Sequence, residues 1–232
     1  MIDIVPDLLN EIQKDFNVKF SKSSIISRVK KAMDAGTATY KDANDYAEEV
    51  GQILADAFKK NIIAGSLPDG RMYFNIAERI LGSTLGNNHK LISVASAEIQ
   101  TQLNKAAGMG IKGIVAELNQ DRIKGFVNRV ANESDFSKVS WILDEPIVNF
   151  SQAIVDDTVK VNAEFHSKAG LSPVLYRIAS GQCCDWCDEI AGLYQYPDVP
   201  PDVYRRHERC RCRVEYDPGK GKKQSVWSKR WY

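Results

Sequence analysis

No cysteine occurs before Cys183, only three histidines are present, and nowhere does the chain run to the ~18 apolar residues that a membrane-spanning helix needs. Each scarcity closes off a class of protein. A body without cysteine has no disulfide staple; at 232 residues and 44% hydrophobic side chains it is large enough to bury its own core. No membrane partner is expected. The opening MIDIVPDLLNEIQKDF is too acidic and too interrupted for a signal peptide, which places synthesis in a cytoplasm. Internal repeats and low-complexity runs are lacking too, which argues against a solenoid or a disordered scaffold.

What is present over residues 6 to 168 is helical periodicity. Pro6 suits a first turn, and Leu8, Leu9, Ile12 and Phe16 follow at three-to-four spacing. A second helix is predicted after Ser23 or Ser24, with Ile25, Ile26, Val29, Ala32 and Met33 on one face and Gly36 as its stop. Thr39 and Asp42 have capping-box spacing ahead of a third stripe, Ala43, Tyr46, Ala47, Val50, Leu54, Ala57 and Phe58. "LPDG" at 67–70 reads as a turn, and helices are predicted over 71–81, 89–107 and 120–131. The glycines of "GMGIKG" follow a helix rather than a strand, so they make no dinucleotide site. A last long helix is predicted from Pro146 to Gly170, with Ile147, Phe150, Ile154, Thr158, Val161 and Phe165 facing inward and the neighbours Asp156 and Asp157 on a solvated face.

After Pro173 the period changes. "VLYRIAS" and "CRVEY" at 212–216 read as two paired strands with every cysteine lying between them or at the join. The fold class is therefore mainly α: a multi-helix body (1–170), a small zinc-stapled β-hairpin module (171–217) and a basic, aromatic-containing tail (218–232), α+β overall.

Cys184 and Cys187 form C-x-x-C, and His207, Cys210 and Cys212 form H-x-x-C-x-C about twenty residues later. Two ligand pairs separated by a loop are what a tetrahedral Zn²⁺ requires. The predicted metal ligands are Cys184, Cys187, His207 and Cys210, with Cys212 as the alternative, and the predicted cofactor is a structural zinc ion. A C-x-x-C can instead be a dithiol redox centre, and paired cysteines can oxidise, but neither accounts for the histidine half of the pattern. Cys183 is left with packing.

No catalytic constellation is evident. H-x-E with P-C-x-x-C, the zinc deaminase signature, does not occur, Ser180-Gly181 is no nucleophile elbow, and His89 and His166 lie in helical segments far from the cysteines. Neither an enzyme nor a small-molecule substrate is expected. The alternative is a zinc-dependent nucleic-acid enzyme, nuclease-like, with an open metal position near Asp188 or Glu189.

Charge is divided unevenly. Residues 201–232 carry ten Lys/Arg against four Asp/Glu, while the first 200 carry 21 against 26, a balance of −5. Arg205, Arg206, Arg211, Lys222, Lys223, Lys229 and Arg230 are the candidate nucleic-acid contacts of a basic end, which leaves a plain DNA-binding zinc module as a further reading. Trp227, Trp231 and Tyr232 either stack on bases or dock the tail on its own domain.

The order C-x-x-C, Ala191-Gly192, a proline-containing loop, H-x-x-C-R-C and a short strand resembles the C-terminal segment of phage minor head proteins of the Mu F-like group. The helical body, notably "GTATYKDANDYAEEVGQILADAF" and "LNQDRIKGFVNRV", resembles prophage minor capsid proteins. That resemblance implies a structural virion component associated with the portal vertex, with portal and capsid proteins and phage DNA as partners, acting in head assembly or DNA packaging and delivery, in the virion and, during assembly, in the host cytoplasm. It departs from the family at Glu208, where a proline commonly follows the histidine.

Overall fold

The computed structural model describes residues 3–181 and 183–219; Lys222, Lys223, Lys229 and Arg230, and the tail aromatics, lie outside the described residues. Pro6 opens helix α1 (Val5–Lys22), and the Ser23 hydroxyl accepts the Ile26 N–H at 3.2 Å to start α2 (Ser24–Asp34). Gly36, at φ 66, ends α2 in the left-handed conformation that costs glycine least. Helix α3 (Tyr40–Asn61) begins where the Asp42 carboxylate accepts the Thr39 backbone N–H at 2.9 Å, the reciprocal half of the predicted capping box. Helices α5 (Gln120–Ala131) and α6 (Glu145–Lys168) also fall where the periodicity placed them.

The two helices predicted over 71–81 and 89–107 are one, α4 (Phe74–Ala106). Gly82 and Gly86 punctuate it without breaking it. Each costs about 1 kcal/mol relative to alanine in a helix, but Leu81, Leu85 and Ile92 are fully buried around them, and that burial outweighs the penalty. In α6 the inward stripe rotates: Phe165 is exposed, and Asn162, Ala163 and His166 take the buried face.

Helices α3 and α6 lie side by side, and Gly51 is the reason they come so close. A Cβ there would sit 2.7 Å from Ser151 Oγ and 3.0 Å from Val148 Cα, so any side chain would push the helices apart. The main core gathers α1 to α6 around Val50, Phe58, Leu81, Ile99, Val130 and Ile147. The GMGIKG loop is pinned to this body. Gly113 N–H donates to Thr101 Oγ1 at 2.8 Å, and the Asn162 amide makes both backbone hydrogen bonds of Ile114, at 2.8 and 2.9 Å.

The sheet that follows has three strands, not two. Strands β1 (Val174–Ile178) and β3 (Arg213–Asp217) pair antiparallel as expected, with Tyr176 opposite Glu215, and β2 (Gly192–Gln195) adds to the other edge of β1. A five-residue helix, α7 (Asp185–Glu189), lies between β1 and β2. The sheet also has an apolar core of its own. Leu175, Val214 and Tyr216 pack with Val203 against Val159 and Ala163 of α6 and Tyr40 of α3. A hairpin held by metal alone is thus corrected to a sheet seated on the helical body, with metal-ligating chemistry at one end. No described helix is long and apolar enough to cross a membrane.

Candidate metal centre

Two short segments bring the cluster together. Cys184 caps α7, whose first turn carries Cys187 inward to full burial. The other half is a turn in which Cys210 N–H donates to the His207 carbonyl at 3.2 Å and Arg209 adopts φ 57. The turn returns the chain so that Cys210 and Cys212, both buried, point at Cys187.

His207 Nε2 lies 3.3 Å from Cys184 Sγ and 3.0 Å from Cys187 Sγ, and Cys187 Sγ lies 3.8 Å from Cys210 Sγ. Sulfurs bound at about 2.3 Å to one tetrahedral zinc are about 3.8 Å apart, so the last spacing matches an edge of such a tetrahedron. The donors form two groups that could each hold a metal ion, Cys184–Cys187–His207 and Cys187–Cys210–Cys212, with Cys187 common to both. The four predicted ligands do not fall in a single group; Cys210 joins the second through Cys187, and Arg177 Nη2 donates to its sulfur at 3.4 Å. None of the five cysteines is in a disulfide.

The imidazole is oriented for coordination. His207 Nδ1 is 2.5 Å from the Glu208 carbonyl, which accepts its proton and leaves the Nε2 lone pair facing the thiols. Trp186 meets the ring edge-on, with centroids 5.7 Å apart. Burial pushes the Cys187 thiol up, with Cys212 and Cys210 adding to the shift, so a metal must displace a firmly held proton there. Cys183 stands outside both groups. Its thiol donates to Asp188 at 2.9 Å, and that bond, with burial second, raises it to about 11.

Three side chains fasten this loop to the helices, and sequence reasoning misplaced all three or passed over them. Arg206, predicted as a nucleic-acid contact, is buried. Its Nε and Nη2 donate to both carboxylate oxygens of Asp156 at 2.5 and 2.9 Å, and its Nη1 to the Cys212 carbonyl at 2.7 Å. Asp156 is therefore an internal residue of α6 and not part of a solvated face. Its neighbour Asp157 is pushed up by burial and then by the Asp156 charge. Arg211, the second predicted contact, spans Glu48 of α3 at 2.7 Å and Glu145 of α6 at 3.0 Å. Asn149 donates to the His207 carbonyl at 2.9 Å. Of the predicted contacts within the described residues only Arg205 is exposed, and it pairs with Asp202 at 2.8 Å. Helical spacing would have found Asp156, because it shares a face with Gln152, Val159 and Ala163, all buried.

No protein-family model, curated protein or solved structure matches the chain.

Proposed function

We propose that this protein is a non-enzymatic structural component of a phage head, a minor head or minor capsid protein, in which one zinc ion fixes the C-terminal segment onto the helical body. The observation that carries the structural role is the anchoring of the donor loop. Arg206, Arg211 and Asn149 tie residues 206–211 to α3 and α6, and Cys187, Cys210 and Cys212 are buried beside them. A catalytic metal needs an open coordination position beside a free base. Here Asp188 accepts the Cys183 thiol, and Asp185, Asp188 and Glu189 are exposed on α7, outside both donor groups. Zinc suits the mixture of thiolates and imidazole and their C-x-x-C and H-x-x-C spacing. Cys184, Cys187 and His207 would hold it, with the fourth position filled by Cys210 moving in beside its neighbour Cys187, and the ion would supply folding energy. Support for the head assignment is the C-x-x-C…H-x-x-C-R-C order and the helical body described above.

Each half has its own test. Protein purified under reducing conditions should contain one zinc per chain, and cobalt substitution should give the absorption of a tetrahedral thiolate site; absence of stoichiometric metal would remove the zinc role. For the head role, portal and terminase genes should lie immediately upstream, and mass spectrometry of purified particles should find the chain in few copies; particles lacking it would remove that role. A DNA-binding module is disfavoured because Arg206 and Arg211 are turned inward, and a steep fall of DNA affinity with salt would restore it.

A further inference from the structure

Arg177 is among the largest fully buried side chains in the protein, and it makes no salt bridge among the described residues. Its Nη1 donates to the Val203 carbonyl at 3.0 Å and its Nη2 to the Arg205 carbonyl at 3.1 Å and to Cys210 Sγ at 3.4 Å. Its Nε has no partner. A guanidinium does not shed its proton in proteins, and a charge buried without an opposite charge is strongly unfavourable. The other buried guanidinium in this joint, Arg206, has Asp156. Among the described residues, the ionisable group its hydrogen bonds reach is the Cys210 thiol of the cysteine cluster.

Resting on the proposed metal centre, we infer that Arg177 is the counter-charge of that centre, placed to offset the negative charge that thiolates leave on a bound divalent ion. A divalent ion held by three thiolates retains one negative charge and by four retains two, so either set stabilises a buried guanidinium beside the sulfurs. Hydrogen bonding agrees: Arg177 approaches the sulfur of Cys210. Arg177 is a positioning residue. It touches no metal, and it tunes the donor strength of the Cys210 thiolate while holding the His207 turn through the carbonyl of Arg205.

The test compares Arg177→Met and Arg177→Lys with wild type, by chelator competition for zinc and by the sulfur-to-cobalt charge-transfer band of the cobalt form. Arg177→Met should lower zinc affinity by about 10–100-fold, as loss of such supporting contacts does. It should also move the charge-transfer band to longer wavelength, because the thiolate loses its stabilising positive neighbour. Arg177→Lys, which keeps the charge, should stay within a few-fold of wild type, and it decides the matter if the Met variant does not fold. Wild-type affinity and an unmoved band in Arg177→Met, or a loss in Arg177→Lys as large as in Arg177→Met, would each overturn the inference. A wild-type protein that binds no metal would overturn the metal centre itself, which is a different failure.

Discussion

The main core and the joint beneath the sheet are held by different means. Around Val50, Phe58, Leu81 and Ile147 the helices of the body exclude water mainly with apolar side chains, and the buried polar groups among them, such as Asn88 donating to Ser151 at 2.6 Å, are uncharged. The sheet rests on a far smaller apolar set, and beside it stand the Arg206–Asp156 pair, Arg177, the cysteines, and a polar chain running from Tyr40 through Gln100 to Asn104. Fully burying an aliphatic side chain contributes about 1.5–3 kcal/mol whatever its neighbours, whereas a buried polar group stabilises only while its partner is in place. One region is therefore tolerant and the other conditional. Conservative apolar exchanges should be absorbed in the body, but the joint should fail at single atoms.

Three experiments sharpen that contrast. The largest effect is expected from Asp156→Asn, which strands the Arg206 charge in the interior and should cost about 3–5 kcal/mol in denaturant unfolding. The double variant Asp156→Leu/Arg206→Met should recover most of it. If the single variant melts like wild type, the pair is not the anchor described here.

Cys184→Ser should come next. The residue is exposed, so packing changes little, but a donor is lost; residues 175–216 should become protease-sensitive while the far-ultraviolet helix signal persists. Unchanged protease resistance would count against the staple, and the sheet's own apolar core would then suffice.

The smallest effect concerns His166, which is buried with Tyr216 Oη 3.0 Å from its Nδ1. Burial lowers its pKa from 6.5 in the folded state. The unfolded chain therefore takes up a proton that the folded one refuses, and stability should decline as pH falls below about 6.5. Between pH 6.5 and 5 wild type should lose a few degrees of Tm more than His166→Gln, and parallel profiles would show that the imidazole does not report on the joint.

Much of the body was legible because a 3.6-residue period survives in sequence, and the caps at Ser23, Thr39 and Pro146 fixed where helices begin. The metal-ligating residues were legible for a different reason, since C-x-x-C and H-x-x-C fix donors by spacing alone. What stayed hidden was tertiary. Gly82, Gly86 and the asparagines after them look like a loop until Leu81, Leu85 and Ile92 are seen to be packed on other helices. Strand β2 has almost no apolar alternation, being an exposed edge. Arg206 and Arg211 read as a basic surface because charge is normally solvated, and their acidic partners lie 50 and more residues away. Arg177 did leave a trace. It stands two residues from the buried Leu175 in a strand, and alternation puts both on one face.

Arg206 and Arg211 meet Asp156, Glu48 and Glu145 only after nearly all of the helical body has been made. During translation those carboxylates wait without partners, and the joint around Asp156 cannot close in a chain broken off before residue 206.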